Sequence, residues 1–146
     1  MKRMPLLLAL FAVLAGPALA APPDDGAPAA KTINPYLPPL QQGMVHDFDQ
    51  AQFLKVQSEG KRIMVMFASR WAGNSQERQP VVERISRDFL YPDVTFFIVD
   101  TDRHPDLLRQ FHTLPDSVIV YRGIQERGRS GDIGEMELRH LLDSAR

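Results

Sequence analysis

Runs of apolar residues mark the strands of a central sheet. Residues 62–68 (Arg-Ile-Met-Val-Met-Phe-Ala) are almost all apolar, which is typical of a strand covered on both faces. Apolar runs at 94–99 and 117–121 predict two further strands, the latter closed by a turn at Arg122-Gly123. Weaker patterns predict a short edge strand at 44–48 and a last strand around 129–132.

Segments with helical spacing of apolar residues alternate with these strands. The predicted helices span 47–59, 76–89, 104–111 and 134–144. In the second helix the residues expected to face inward are Val81, Val82, Ile85 and Phe89. Strands that are apolar on both faces and alternate with helices indicate an α/β fold.

Residues 1–20 have the pattern of a secretory signal peptide. Lys2 and Arg3 precede an apolar run at 6–15, and an Ala-Leu-Ala cleavage signal ends at Ala20. The run is shorter than the roughly 20 residues that a membrane span needs. We therefore expect export to the periplasm, cleavage after Ala20 and no stable membrane insertion afterwards.

A proline-rich segment follows the predicted cleavage site. Six prolines fall within residues 21–43, which show neither a helical nor a strand period. Such a composition predicts an extended, flexible leader, which serves either as a spacer or docking arm or simply as a mobile lead into the domain. Ordered patterning begins at Met44, so residues 44–146 are predicted to form the folded domain.

The composition excludes several classes of protein. The 146 residues are 44% hydrophobic, which is enough for a packed core. Lys and Arg number 17 against 18 Asp and Glu, so the chain lacks the basic excess of a nucleic-acid binder. The chain contains no cysteine, which excludes disulfides, thiol nucleophiles, iron–sulfur clusters and lipoprotein acylation.

The segment after the first buried strand resembles the active-site region of the thioredoxin family. Residues 67–75 are Phe-Ala-Ser-Arg-Trp-Ala-Gly-Asn-Ser, and Pro80 follows Ser75 by five positions. The family has a strand ending in Phe, then Trp-Cys-Gly-Pro-Cys, and a helix-kinking proline at that spacing. Further matches in the same order are Val99-Asp100-Thr101-Asp102 with Pro105, Leu114-Pro115-Asp116 before an apolar strand, and Gly131 to Leu138 at the last helix.

This resemblance covers about residues 44–146 and implies a thioredoxin-like fold. The expected architecture is a mixed central sheet flanked by helices, in which a βαβ unit is followed by an α-β-β-α half. The family's Ile-Pro-Thr loop contains a cis proline, so the resemblance implies a cis Leu114–Pro115 peptide bond.

The departures from the family concern its chemistry. Ala72 and Ser75 stand at the two cysteine positions. The family also has a buried acid beneath the site that takes up protons, and Met66 stands at the matching position. Thiol–disulfide exchange needs a thiolate, which alanine cannot supply, and serine is a poor substitute without an adjacent base. The resemblance therefore implies a redox-inactive member that is not an enzyme.

Other chemistry at these positions is less favoured. A serine hydrolase needs a histidine and an orienting acid near Ser75, and no nucleophile-elbow pattern surrounds it. Asn74 with Glu77 three residues later instead predicts a capping box. His104 and His112 could approach each other near several acids, but they lack the close spacing of a metal-ligand pair.

The resemblance also implies a groove that grips extended polypeptide. Backbone hydrogen bonds of the strand-addition kind would hold such a segment, and they need no sulfur. The candidate groove residues are Trp71, Ala72, Gly73, Asn74, Ser75, Leu114 and Pro115. The alternative is a family scaffold that has kept its shape but binds nothing.

We therefore expect a periplasmic protein that binds or assists another extracytoplasmic protein, or an extended peptide segment, in an accessory, assembly or chaperone-like role. No cofactor, metal or nucleic acid is expected. One alternative is an auxiliary of a thiol–disulfide or metal-delivery pathway, with the cysteines supplied by a partner. A less favoured alternative is an enzyme that uses Ser75 or the histidines.

Overall fold

The computed structural model describes residues 37–131 and 134–146, so the predicted signal peptide and the first part of the predicted leader lie outside the described residues. The described elements, in chain order, are β1 (Val45–Asp47), α1 (Gln50–Ser58), β2 (Arg62–Ala68), α2 (Ser75–Ser86), β3 (Val94–Asp100), α3 (Pro105–Gln110), β4 (Val118–Arg122), β5 (Gln125–Ser130) and α4 (Glu135–Ser144). None of these helices has the length and apolar character needed to cross a membrane.

The strands form one mixed sheet in the order β1-β3-β2-β4-β5. β3 pairs in parallel with β1 and with β2, whereas β4 pairs antiparallel with both β2 and β5. A β-α-β-α-β half thus precedes an α-β-β-α half. The predicted α/β fold class, a mixed sheet flanked by helices, is confirmed.

The central strand β2 packs against helices on both faces. Ile63, Val65 and Phe67 contact the apolar cluster that includes residues of α1, while Met64 and Met66 contact the cluster that includes residues of α2 and α4. The first six residues of β2 are buried, and its bounds are those that the apolar run predicts. Burial of both faces is the reason why this strand is recognisable from composition alone.

The prediction that Phe89 faces the core is wrong, because α2 ends three residues earlier, at Ser86. The side chain of Asp88 accepts a hydrogen bond from the backbone N–H of Leu90 at 3.0 Å, and this turns the chain away from the helix. Phe89 is consequently 85% exposed, and Tyr91 fills the core with 2% exposure.

The last strand lies earlier than predicted, at Gln125–Ser130 rather than around 129–132. Its sequence, Gln-Glu-Arg-Gly-Arg-Ser, carries no apolar alternation because β5 is an edge strand with mostly exposed side chains. Charged residues on an edge strand discourage pairing with other chains, but they leave no hydrophobic period to detect.

The described part of the predicted leader contacts the domain. The amide of Gln52 in α1 donates to the carbonyl oxygen of Pro38 at 2.9 Å, and the His46 ring hydrogen-bonds to the carbonyl of Gln41 at 2.9 Å. Leu40 is partly buried against the apolar cluster that contains Phe53. Ordered contacts with the domain therefore begin several residues before Met44.

A buried guanidinium ties the start of β2 to two other parts of the fold. Arg62 is 4% exposed, donates through Nε to Asp93 at 2.8 Å and through Nη1 to the Leu142 carbonyl at 3.0 Å. The hydrogen bond from Arg62 lowers the pKa of Asp93 below its ordinary value. Asp93 itself is half exposed, so water partly screens the pair.

Replacing Asp93 by asparagine should destabilise the fold, because the buried Arg62 then lacks its charged partner. We expect Asp93→Asn to lower the free energy of unfolding at pH 7 by about 1–2 kcal/mol. The pKa of Asp93 is lower in the folded chain than in the unfolded chain. The wild type therefore has the higher free energy of unfolding above about pH 4, and this difference is lost as the pH falls below that value.

Urea denaturation at several pH values measures this difference. Glu59→Gln is the control, since it removes only a surface ion pair with Lys61 and should cost less than about 1 kcal/mol. Equal losses for the two variants at pH 7 would show that Arg62 does not depend on Asp93.

Candidate functional site

A hydrogen-bonded turn presents Trp71 to solvent at the end of β2. The Trp71 N–H donates to Ser69 Oγ at 3.2 Å, and the Asp102 carboxylate accepts the Ser69 hydroxyl proton and the Arg70 N–H, both at 2.9 Å. Trp71 is 89% exposed. The backbone of the turn is thus held in place while the indole ring packs against little of its own chain.

Ala72 and Ser75, which the sequence resemblance aligns with the thioredoxin cysteines, lie in one tight turn before α2. The Ser75 N–H donates to the Ala72 carbonyl at 3.2 Å, so residues 72–75 lead directly into the helix. Asn74 and Gly73 are exposed. The predicted capping box is wrong, because Asn74 already has a helical backbone conformation and its side chain makes no capping hydrogen bond.

Ser75 is buried and its hydroxyl is fully engaged. Ser75 Oγ accepts the Ser69 N–H at 3.0 Å and donates to Asp116 Oδ1. The side chain is 4% exposed, and within the described residues no histidine is among its hydrogen-bond partners. This arrangement gives Ser75 a structural hydrogen bond to a carboxylate rather than the serine–histidine pair that a hydrolase needs.

The loop before β4 departs from the expectation of a cis proline. The Leu114–Pro115 peptide bond is trans, and the chain turns instead at His112 and Asp116, whose φ angles are +48° and +64°. Asn, Asp and His are the non-glycine residues that adopt this left-handed region most readily. Two such residues bracket the short loop, so its bend needs no cis bond.

Leu114 projects from this loop with 76% of its surface exposed. Its carbonyl is paired, because it accepts a hydrogen bond from Ser117 Oγ at 2.6 Å. The Leu114 N–H makes no hydrogen bond within the described residues. One backbone donor is therefore available beside an exposed apolar side chain.

The loops that carry Trp71 and Leu114 meet at the same edge of the sheet. The Phe67 N–H donates to the Ser117 carbonyl at 2.9 Å, and the Asp116 N–H donates to the Phe67 carbonyl at 2.8 Å. Because β2 and β4 are antiparallel, the end of one strand lies beside the start of the other. The structure thus brings the predicted site residues to one end of the molecule.

Two shallow grooves flank Leu114, and Trp71 lines neither. One groove, of about 450 Å³, is lined by Leu108, Arg109, His112, Thr113 and Leu114. The other, of about 430 Å³, is lined by His112, Thr113, Leu114, Pro115, Ser117, Arg129, Ser130 and Gly131. The single groove expected between Trp71 and Leu114 is therefore an open surface with grooves on the Leu114 side.

Arg129 fixes the wall of the second groove. Its Nη1 donates to the His112 carbonyl at 2.7 Å, and its Nε and Nη2 bind both oxygens of Glu126 at 2.6 Å. The hydrogen bond from Arg129 lowers the pKa of Glu126. Because the Glu126 carboxylate binds Arg129 through two hydrogen bonds, little of the Arg129 charge remains to attract a ligand. The bond from Arg129 Nη1 to the His112 carbonyl holds the loop at His112.

A polar cavity of about 280 Å³ lies at the carboxyl ends of the parallel strands. Its lining residues are Asp47, Ala68, Ser69, Arg70, Ser75, Gln76, Gln79, Ile98 and Asp100. Asp100 Oδ1 already accepts the backbone N–H groups of Asp102 and Arg103 at 3.1 and 3.2 Å. Among the described residues, no group of three or more His, Asp or Glu side chains is placed to hold a metal ion.

The sequence motifs include Asp102 and Asp116 but give neither residue a role in organising the site. Asp102 follows β3 and Asp116 precedes β4, and both lie on loops where acidic residues are common and carry no distinctive pattern. Their partners, Ser69 and Ser75, are equally ordinary residue types. Only the folded chain brings these four side chains together.

No protein-family model and no curated protein matches the chain. Solved structures do match it. Trxlp from Edwardsiella tarda is 24% identical, with a TM-score of 0.62 and coverage of 67% of this chain and 97% of that one. Thioredoxin NaTrxh from Nicotiana alata is 22% identical, with a TM-score of 0.63 and coverage of 75% and 98%.

A thioredoxin from Trypanosoma brucei brucei is 25% identical, with a TM-score of 0.59 and coverage of 70% of this chain and 91% of that one. At this level of identity the similarity concerns the fold, and the residues at the family's cysteine positions differ. Together with the mixed five-stranded sheet, these neighbours show the fold of the chain. The chain has a thioredoxin fold and contains no cysteine.

Proposed function

We propose that this chain is an exported, periplasmic accessory protein that binds an extended segment of another protein through the surface around Trp71 and Leu114, without redox chemistry. The observation that carries the proposal is the 89% exposure of Trp71 on a turn that hydrogen bonds hold in place. A large aromatic side chain in this position contributes little to the core of its own domain, yet offers a large apolar area to a partner.

The chemistry of the site supports binding rather than turnover. The chain has no cysteine, so the dithiol exchange of thioredoxins has no nucleophile here. Ala72 has no reactive group. The hydroxyl of Ser75 is buried and donates a hydrogen bond to Asp116. What this end of the fold retains is its shape and its exposed apolar residues.

Leu114 adds a second contact of the same kind. Its side chain is 76% exposed, and its backbone N–H, which makes no hydrogen bond to residues 37–131 or 134–146, lies on the loop beside β2. Burying a leucine contributes about 2 kcal/mol, and a backbone hydrogen bond contributes about 1 kcal/mol. An extended segment that packs against the Leu114 side chain and accepts a hydrogen bond from its N–H would gain both contributions.

The predicted signal peptide supports the location that we propose. A chain exported by that signal would meet its partner outside the cytoplasm, so the partner is an extracytoplasmic protein or an extended segment of one. Cleavage after Ala20 would remove Lys2 and Arg3 and leave a mildly acidic chain with no electrostatic attraction to an anionic membrane.

The purified protein should not reduce disulfides. We expect no acceleration of insulin reduction by dithiothreitol above the rate without protein, because no thiolate is available. Turnover above this background by the cysteine-free chain would contradict the non-redox assignment.

Restoring both cysteines should give a disulfide but little reductase activity. Ala72 and Ser75 lie at the two ends of one tight turn, so the double variant Ala72→Cys, Ser75→Cys should oxidise readily. Reduction of insulin should stay slow, because Met66 provides no buried acid and the Asp116 carboxylate beside position 75 raises the pKa of a thiol there. Free-thiol titration and the insulin assay test the two parts. A double variant that stays reduced under strong oxidant would contradict the assigned correspondence of these positions.

Removing the indole of Trp71 should weaken partner binding without unfolding the domain. In affinity capture from a periplasmic extract, we expect a defined partner on the wild type that is lost on Trp71→Ala. With the purified partner, calorimetry should show at least about 30-fold weaker affinity, corresponding to about 2 kcal/mol. The melting temperature should change little because Trp71 is exposed.

Phe89→Ala is the matched control for this experiment. Phe89 is an aromatic residue of nearly equal exposure, 85%, on the loop after α2. Its removal should leave partner affinity unchanged. Equal affinities for the wild type and Trp71→Ala, or equal losses for the two aromatic variants, would exclude the surface around Trp71 as the binding site.

A further inference from the structure

Hydrogen bonds of four polar residues connect three loops, and the backbone N–H of Ser69 makes the link between the two serines. Asp102 accepts the hydroxyl proton of Ser69 at 2.9 Å, the Ser69 N–H donates to Ser75 Oγ at 3.0 Å, and Ser75 Oγ donates to Asp116. We call the side chains of Ser69, Ser75, Asp102 and Asp116 the polar clasp. It connects the loops after β2, after β3 and before β4.

The two halves of the clasp have the same design. In each half a buried serine hydroxyl accepts one backbone N–H and donates to one carboxylate. Ser69 and Ser75 are only 8% and 4% exposed, so both serine hydroxyls are buried, whereas Asp102 is exposed and Asp116 is partly exposed. Hydrogen bonds to charged acceptors are stronger than hydrogen bonds between neutral groups.

The clasp lies where the hydrogen bonds of the sheet end. The last bonds between β2 and the chain before β4 are those of Phe67 with Ser117 and Asp116. Beyond them, the bond between Ser75 and Asp116 links the start of α2 to the loop that carries Leu114. Asp102 holds the turn that carries Trp71 through both Ser69 and the Arg70 N–H.

We propose that the polar clasp fixes Trp71 and Leu114 in one arrangement, so that Asp102 and Asp116 are positioning residues for the binding surface. The part of this inference that concerns a partner rests on the function proposed above. The part that concerns the order of the Trp71 turn is independent of any partner. A surface ordered before binding loses less side-chain and loop entropy on association.

The Trp71 side chain reports on the clasp directly, because it is the only tryptophan of the chain. Time-resolved fluorescence anisotropy of the full, folded protein measures its nanosecond motion. We expect Asp102→Ala to increase the amplitude of this local motion at least twofold. Asp102→Asn keeps one of the two acceptor oxygens and should give an intermediate value.

The variants at Asp116 must be residues that tolerate its positive φ angle. Its φ of +64° would strain alanine, so Asp116→Gly removes the side chain and Asp116→Asn retains an acceptor oxygen in a residue that tolerates this region. Asp116→Gly should raise the motion of Trp71 less than Asp102→Ala, because it acts through Ser75 and Ser69. Asp116→Asn should restore most of the wild-type value.

The matched control is Asp106→Ala, which removes an exposed carboxylate from the first turn of α3 and leaves the clasp intact. Its anisotropy decay should equal that of the wild type. An unchanged decay for Asp102→Ala, or an equal rise for Asp106→Ala, would overturn the clasp. If Asp102→Ala does not fold, Asp102→Asn carries the test, and an unchanged decay for that variant would overturn it equally.

Partner affinity then separates the two proposals. With the partner captured by the wild type, Asp102→Ala should bind about tenfold more weakly, mainly through faster dissociation, and Asp106→Ala should bind normally. Increased motion with unchanged affinity would overturn the positioning role while leaving the binding function intact. A wild type that captures no partner would instead remove the proposed function, and the anisotropy series would still decide whether the clasp orders the Trp71 turn.

Discussion

The structure depends on β2 being buried from both sides. Its six consecutive buried residues, Arg62 to Phe67, separate two apolar clusters, one packed under α1 and the other under α2 and α4. A strand in this position must pair on both edges, and it does so with β3 in parallel and β4 antiparallel. These two pairings bring the loops after β2, after β3 and before β4 to one edge of the sheet, where the candidate site lies.

The sequence predicts those elements in which a single physical factor, such as burial on both faces, determines the residue types. β2 is predicted at its observed bounds because burial on both faces favours the apolar run from Ile63 to Phe67. β5 is misplaced because an exposed edge strand is under no such constraint. Phe89 is assigned to the core because the helical spacing of apolar residues continues past Ser86. In the structure the helix ends at Ser86, and the hydrogen bond between Asp88 and Leu90 forms a turn there instead.

The candidate site could be located from sequence, but its internal contacts could not. Trp71, Ala72 and Ser75 follow a recognisable strand at a recognisable spacing, and the structure brings them close to Leu114. The trans bond before Pro115, the helical conformation of Asn74 and the bonds to Asp102 and Asp116 depend on loops packing against each other. Contacts between distant short polar residues leave no pattern along the chain, because a serine or an aspartate fits a loop equally well without a partner.

The absence of cysteine excludes the dithiol exchange of thioredoxins but leaves the interactions that shape this end of the fold. The turn at residues 72–75 is held by a backbone hydrogen bond and by the start of α2, neither of which needs sulfur. Ser75 keeps the second position buried and uses its hydroxyl to reach Asp116, where a cysteine would make only a weak hydrogen bond. The polar clasp therefore gives this edge of the sheet an internal order that depends on hydrogen bonds alone. An exposed tryptophan on a turn that is already ordered has the properties of a binding anchor. Its turn loses little conformational entropy when a partner binds, so less of the free energy of contact is offset.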